Sequence, residues 1–209
     1  MHAETKKVQK VQNINKTRAQ IMEVATRLFQ KFGFDKTSME DIAAAAHKAK
    51  RSLYNHFTDK EDLFSSVAVQ ELDTICEQLR RVFEDTTARP LERLQRFLLA
   101  RFDLIAESGI YHLVLENADS SRASMRFDVL NRHFREFEGW EHDAFASLWN
   151  ERACEEHKTP MPQKAEAFAD MAQMLLKSLD YSFFVQRKYK DYKETYVYLV
   201  NLIINSLNK

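Results

Sequence analysis

Apolar residues recur every three or four positions along most of the chain, which is the spacing of an amphipathic helix. Over residues 15–32 they are Ile21, Val24, Ala25, Leu28, Phe29 and Phe32. Gly33 follows directly, and a glycine just past the last turn commonly ends a helix because it takes a left-handed backbone without a Cβ penalty. The pattern predicts a first helix that stops immediately before Gly33.

Two short helices are predicted next. Thr37 and Glu40 have the spacing of a capping box, so a second helix is expected to start there and to bury Met39, Ile42, Ala43 and Ala46. If residues 50–57 are helical, Leu53 and Phe57 share the inner face. The residues left pointing outward are Lys50, Arg51, Ser52, Tyr54, Asn55 and His56. This outer face is cationic and rich in hydrogen-bond donors.

Helical periodicity continues to the end of the chain. Further helices are predicted from a cap signature at residues 58–61, from Pro90 to about residue 108, and over 110–118, 124–151, 163–187 and 191–208. The last two are apolar on more than one side, whereas a surface helix needs only one buried face. They are therefore expected to pack against both the core and a second subunit.

Composition supports an all-α chain of about nine helices. The 209 residues include only three glycines and three prolines, too few to punctuate the many short strands of a sandwich or barrel. No glycine-rich phosphate or dinucleotide loop can be written. The longest uncharged stretch near the C-terminus, 195–208, is too short to span a bilayer, and a cytosolic protein without membrane contact is expected. Cys76 and Cys154 are expected to be reduced.

Charge is divided unevenly along a chain whose formal net charge is zero. Residues 1–60 carry 12 Lys and Arg against 6 Asp and Glu, whereas residues 61–209 carry 19 against 25. Such asymmetry points to a nucleic-acid-binding segment attached to a different domain. Two short helices, the second presenting cationic and polar side chains, also have the layout of a helix-turn-helix.

The residues that form this layout carry a family resemblance over about positions 15–65. They are Gly33-Phe34, Thr37-Ser38-Met39, Asp41-Ile42-Ala43, Leu53-Tyr54-Asn55-His56-Phe57 and Lys60-Glu61-Asp62-Leu63-Phe64. This run resembles the N-terminal domain of the TetR/AcrR family of bacterial transcription regulators. The resemblance implies a three-helix DNA-binding domain at 15–60, a helical ligand-binding and dimerisation domain at 61–209, and a flexible basic arm at 1–14.

The turn of the predicted helix-turn-helix departs from the family pattern. His47, Lys48 and Ala49 replace the usual glycine, apolar residue and serine, and Arg51 stands where a small residue is usual. Histidine tolerates a positive φ better than most residues, but Ala49 offers no side-chain cap to the following helix. We therefore expect a less stable turn and base preferences that do not follow those of the family.

The outward residues are assigned by their reach. Lys50, Arg51 and Ser52 are the candidates for base edges, and Arg51 is suited to a bidentate contact with guanine. By resemblance, phosphate contacts are expected from Thr37, Ser38, Tyr54, Asn55, His56 and Lys60, with Lys6, Lys7, Lys10, Lys16 and Arg18 as an added arm. Tyr54 could instead pack against the first helix, and His56 could be an ordinary surface histidine.

The resemblance also implies a homodimer that binds double-stranded operator DNA and is released from it by a small molecule of unknown identity. The last two helices would join the subunits. Apolar and aromatic candidates for lining the effector pocket are Phe102, Tyr111, His112, Phe134, Phe137, Trp140, Met171 and Met174. No cofactor and no metal site are predicted. Repression is the commoner outcome in the family.

Two other classes of function remain open at this point. A helical adaptor could use the basic segment for an anionic lipid or an acidic protein, without regard to DNA sequence. A helical enzyme could use His112 with Glu116, or His133, Glu136, Glu138 and His142. No H-E-x-x-H or Glu-x-x-His metal motif occurs, and neither cysteine lies in a recognisable nucleophile motif, so catalysis is not expected.

Overall fold

The computed structural model of the chain describes residues 2–118, 128–156, 159, 161–187 and 192–207, which form nine α-helices and no strand. The all-α prediction is confirmed. No helix of these residues is long and apolar enough to cross a membrane. The helices are α1 (His2–Phe32), α2 (Met39–Ala45), α3 (Lys50–Tyr54), α4 (Lys60–Phe83), α5 (Pro90–Glu107), α6 (Gly109–Ala118), α7 (Asp128–Glu155), α8 (Pro162–Asp180) and α9 (Tyr192–Leu207).

Helix boundaries differ from the prediction in α1 and α8, and α3 ends at Tyr54 rather than at residue 57. Helix α1 begins at His2, so the arm predicted to be flexible over residues 1–14 is helical from its second residue. The reason is local: this segment has no Gly or Pro and consists largely of strong helix formers. Helix α8 ends at Asp180 and continues as a π-helical turn, Tyr181–Val185. The predicted start of α7, residues 124–127, lies outside the described residues.

The capping box of α2 is formed by a different pair from the predicted one. Ser38, not Thr37, is the N-cap: its hydroxyl accepts from the Asp41 N–H at 3.1 Å, and the Asp41 carboxylate accepts from the Ser38 N–H at 3.0 Å. Thr37 is buried, and its hydroxyl donates to the Gly33 carbonyl at 2.8 Å. The prediction of Thr37 with Glu40 was wrong because both frames have the same spacing, and tertiary burial of Thr37 decides between them.

Two apolar cores organise the helices. The head core joins α1, α2, α3 and the first half of α4, where Phe29, Phe34 and Phe64 meet with ring centroids 5.0–5.9 Å apart. The body core joins the second half of α4 with α5 and α7–α9. Helix α4 therefore belongs to both cores, and the boundary predicted after residue 60 falls at its first residue.

Helix α6 also touches both cores, through adjacent residues. Ile110 is 1% exposed within the head core, and Tyr111 is buried in the body core. Gly109, the first residue of α6, lies against Gln30 of α1 so closely that a Cβ there would be 3.1 Å from the Gln30 Cγ. Glycine thus permits the start of α6 to approach the head.

A buried ionic cluster ties the body together around Arg101 of α5. Its Nε donates to Glu141 of α7 at 2.6 Å, and its two Nη atoms donate to the Asp180 carboxylate at 3.1 and 2.9 Å. The Tyr111 hydroxyl donates to Asp180 at 3.4 Å. Burial alone would lower the pKa of Arg101, but the charges of Asp180 and Glu141 outweigh it and hold that pKa above its ordinary value. Arg101 therefore stays charged in the core.

Candidate nucleic-acid interface

Helix α3 and the residues just after it are held on the head by inward side chains. Leu53 is fully buried and Phe57 is 2% exposed, as their four-residue spacing predicts. The Arg18 guanidinium of α1 lies 4.9 Å above the Phe57 ring and donates to the Ser66 hydroxyl of α4 at 3.0 Å. One arginine thus ties α1, the end of α3 and α4 together. The opposite face of α3 is left to solvent.

The turn between α2 and α3 ends α2 with a Schellman arrangement. The His47 N–H donates to the Ala44 carbonyl at 3.1 Å, and the Lys48 N–H donates to the Ala43 carbonyl at 3.0 Å. His47 occupies the left-handed position of this motif with a φ of 52°. Ala49 then begins α3 with an extended backbone and no side-chain cap. Both features agree with what the altered turn sequence predicts.

The three residues predicted to reach base edges lie in different environments. Arg51 is exposed, and no ion pair or hydrogen bond of its side chain is found among the described residues. Lys50 forms an ion pair with Glu40 of α2, and its ammonium lies 5.9 Å from the centroid of the Tyr54 ring. Ser52 is half-buried. Arg51 is therefore the cation of this helix that is available to a ligand.

Three of the residues predicted to contact phosphate follow the base candidates along the chain. Tyr54 is 46% exposed, so it does not pack away against α1, and Asn55 is exposed. His56 is half-buried, with its ring centroid 6.4 Å from that of Phe57. All three lie at or just beyond the end of α3 and supply polar groups beside the Arg51 face.

The other three residues predicted to contact phosphate are engaged within the protein. Thr37 is 2% exposed and its hydroxyl donates to a carbonyl, so this geometry does not favour its predicted phosphate contact. The Ser38 hydroxyl is used in the α2 cap. Lys60 donates to the Phe34 carbonyl at 2.9 Å, and its ammonium lies 4.3 Å from the Phe34 ring centroid. Lys60 thereby joins the start of α4 to the loop after α1.

The eight candidates for the effector pocket fall into two groups. Six lie in or against the body core, where Tyr111 contacts Phe134, Phe137 contacts Trp140, and both Phe102 and His112 contact Phe184. Met171 and Met174 are instead 66% and 69% exposed on the outside of α8. The eight candidates therefore lie at two separate places in the described part of the chain, because the apolar pattern of α8 covers an outer face as well as an inner one, and the effector pocket stays a prediction.

The exposed methionines lie on an apolar groove of about 340 Å³ between α8 and α9. Leu94, Leu98 and Phe145 form its floor and are buried. The groove has almost no polar lining: the Tyr196 hydroxyl, the polar group of its floor, donates to the Leu98 carbonyl at 3.1 Å.

Sequence reasoning missed two features of the site. Glu40 was taken as a capping residue, whereas its carboxylate pairs with Lys50. Lys50 holds the pKa of Glu40 below its ordinary value, mainly through the side-chain hydrogen bond. The buried partners of Arg101 were also missed, because they lie 40 and 79 residues further along the chain. No spacing rule within one helix could have found either pairing.

The N-terminal part of the chain, which contains α2 and α3, matches a known protein family. Residues 21–67 match the family model described as bacterial regulatory proteins, tetR family. The chain is also 31% identical over 139 residues to the transcriptional repressor KstR2 of Mycobacterium tuberculosis (strain CDC 1551 / Oshkosh), covering 59% of this chain and 69% of that protein. This chain belongs to the TetR family of bacterial regulatory proteins. It is a DNA-binding transcription regulator of that family and not an enzyme.

Solved structures of bacterial regulators share the fold over nearly the whole chain. The fatty acid degradation regulator FadR from Bacillus halodurans superposes with a TM-score of 0.68 at 15% identity, covering 90% of this chain and 94% of that one. FadR from Bacillus subtilis, solved in complex with stearoyl-CoA, has a TM-score of 0.64 at 15% identity, covering 90% and 95%. At this identity the likeness establishes the common fold.

Proposed function

We propose that this TetR-family chain is a homodimeric repressor that reads a specific operator through α3 and is released from it by a small-molecule effector. The observation that carries the DNA-reading part is the outward face of α3, with Arg51 exposed and unpaired among the described residues. Arginine there can make a bidentate contact with guanine O6 and N7 in the major groove. Tyr54, Asn55 and His56 then contribute phosphate contacts that fix the register.

Dimerisation through α8 and α9 is supported by the apolar surface that these helices leave open. Met171, Met174 and Tyr198 are each more than 60% exposed, and Leu175 and Leu202 are more than 40% exposed. Contiguous apolar surface of this kind marks a protein interface. A second copy would cover it, and a two-fold dimer would present two α3 helices to paired half-sites about 34–36 Å apart or a multiple of this.

Effector response is supported by the position of α6 between the two cores. Ile110 is part of the head core and Tyr111 is hydrogen-bonded to the Arg101 cluster in the body. A ligand that rearranges the packing of the body around Tyr111 would therefore move an apolar residue of the head. Repression is favoured because KstR2, the relative described above, is a repressor.

Selection from a random pool of duplexes tests the DNA-reading part. The purified protein should recover a sequence with two-fold symmetry, and Arg51→Ala should weaken binding to it by about 1–3 kcal/mol and relax one base position in each half-site. Arg81→Ala is the matched control, because Arg81 is an exposed arginine of α4 paired with Glu77. Sequence-blind binding by the unchanged protein would contradict the proposal.

The dimer is tested by mass measurement in solution. Met174→Glu should shift the protein to a monomer while helix content stays constant, because a charge in the covered groove would be desolvated without a partner. Val129→Glu, at another exposed apolar position, on α7, is the control and should stay dimeric. A compound that releases the selected duplex lowers the affinity of the protein for that duplex by a certain factor. The compound must then bind the DNA-bound protein more weakly than the free protein by the same factor, because linkage is reciprocal.

A further inference from the structure

The ion pair between Glu40 and Lys50 joins α2 and α3 on the surface that the proposed function turns towards DNA. Glu40 is the second residue of α2, and Lys50 is the first residue of α3. Their side chains are 59% and 54% exposed, so the pair lies in solvent rather than in a core. An exposed pair adds little to the stability of the fold. Its effect is therefore to be sought in the charge that the head presents to a ligand.

The pair divides the two adjacent cations of α3 into one that is neutralised and one that is not. The charge of Lys50 is balanced by Glu40, and the hydrogen bond with Glu40 raises the pKa of Lys50 above its ordinary value. The Lys50 ammonium also lies 5.9 Å from the centroid of the Tyr54 ring. No ion pair of Arg51, the next residue, is found among the described residues. Only one of the two residues can engage DNA without first breaking an ion pair.

We propose that Glu40 is a specificity-determining residue of the DNA-reading surface, which suppresses sequence-blind binding by holding Lys50 and leaves Arg51 as the reading cation. The proposal rests on the proposed DNA-reading function of α3. Attraction to any duplex comes from cations that displace counterions from phosphates. A lysine that must leave a carboxylate contributes little to this term, and the carboxylate left behind faces the phosphates.

Recognition of the preferred sequence is affected less. A bidentate contact between Arg51 and guanine depends on the geometry of the base edge. Among the described residues, no hydrogen bond or ion pair joins Glu40 to Arg51, so Glu40 does not weaken the contact with guanine directly. Glu40 therefore lowers affinity for arbitrary DNA more than affinity for the operator, and the ratio of the two affinities rises.

The test uses the full-length protein with two duplexes, the one that the unchanged protein selects from a random pool and the same duplex with its bases shuffled. Glu40→Gln should tighten binding to the shuffled duplex by about 3–10-fold and steepen its logarithmic salt slope by about one. In the selected complex the bidentate contact of Arg51 fixes the position of α3, so Lys50 gains no new phosphate contact and binding to the selected duplex should change by less than about twofold. The specificity ratio should therefore fall.

Two matched variants separate the pair from a simple change of net charge. Glu77→Gln removes an equally exposed carboxylate, paired with Arg81 on α4, and should leave both affinities within about twofold of the unchanged protein. In the Lys50→Gln background, Glu40→Gln should steepen the salt slope by less than half as much, because the cation that it would free is absent. Circular dichroism and the unfolding midpoint confirm that each variant is folded.

Three results overturn the proposal. One is an unchanged salt slope on the shuffled duplex in Glu40→Gln. Another is an equal gain on both duplexes, which would be a charge effect without specificity. The third is a loss of operator binding in Lys50→Gln as large as that in Arg51→Gln, which would make Lys50 a reader in its own right. If the unchanged protein selects no sequence, the proposed function fails, and the salt slopes still decide whether Glu40 suppresses sequence-blind binding.

Discussion

Replacing His47 by glycine should stabilise the head by about 0.5–1 kcal/mol. His47 lies in the turn of the helix-turn-helix at a φ of 52°, where its Cβ is crowded by the backbone. The two Schellman hydrogen bonds that end α2 require this conformation, so the chain cannot relax it without opening the turn. Glycine adopts the same backbone freely.

The magnitude follows from two opposing contributions. A left-handed residue other than glycine costs about 1–2 kcal/mol. Glycine loses more conformational entropy on folding than histidine does, and this loss offsets about 0.5–1 kcal/mol of the relieved strain. Removing the imidazole loses nothing further, because His47 is exposed and no hydrogen bond of its side chain is found in the described part of the chain. The net gain is therefore positive but smaller than the strain itself.

Urea unfolding at fixed protein concentration measures the change, and hydrogen exchange of the α2 and α3 amides shows that it belongs to the head. His47→Ala should stay within about 0.5 kcal/mol of the unchanged protein, since alanine keeps the Cβ. Ala44→Gly, at an exposed position inside α2, should destabilise by about 1 kcal/mol. Equal stabilisation by alanine and glycine at position 47, or a loss with glycine, would refute the reasoning.

Three further changes probe the caps and the body. Ala49→Ser should raise the free energy of unfolding by about 1 kcal/mol in urea, because position 49 caps α3 without a side-chain bond. Arg101→Met should lower it by about 3–5 kcal/mol, since Glu141 and Asp180 would remain buried without a cation; an unchanged midpoint would contradict this. Hydrogen bonds from Ser38, which caps α2, hold the pKa of Asp41 below its ordinary value of 3.8. The stability that the Asp41 carboxylate adds is complete above pH 3.8 and is lost as the pH falls through its lowered pKa. Asp41→Asn should therefore lose less stability between pH 5 and pH 2 than the unchanged protein does.

Local periodicity predicted the parts of the fold that depend on one helix at a time. The three- and four-residue spacing placed Leu53 and Phe57 inside, and it identified the open apolar faces of α8 and α9. Single residues also behaved as their types predict: Gly33 takes a φ of 82° after α1, and His47 tolerates the left-handed turn. These outcomes depend on backbone sterics and on helical geometry, which act over a few residues.

The features that could not be predicted depend on contacts between helices. Thr37 and Ser38 are equivalent by spacing, and only the burial of Thr37 against the end of α1 makes Ser38 the cap. The sequence indicates a free cation at Lys50, whereas the fold places Glu40 of α2 beside it. The helical spacing of Met171 suggests a core residue, whereas the packing of the neighbouring helices leaves it exposed. In each case the outcome depends on how the helices pack against one another.

The place of α6 limits how an effector could act on DNA binding. Adjacent residues of a helix are separated by a rise of about 1.5 Å along a stiff element, so Ile110 in the head core cannot stay fixed while Tyr111 is displaced far in the body. Tyr111 is held through Asp180 to Arg101, which also holds Glu141. A ligand that separates these groups would therefore shift α6 and the head together. Operator binding, by fixing the head, would oppose the same rearrangement, and the two ligands would weaken one another by an equal factor.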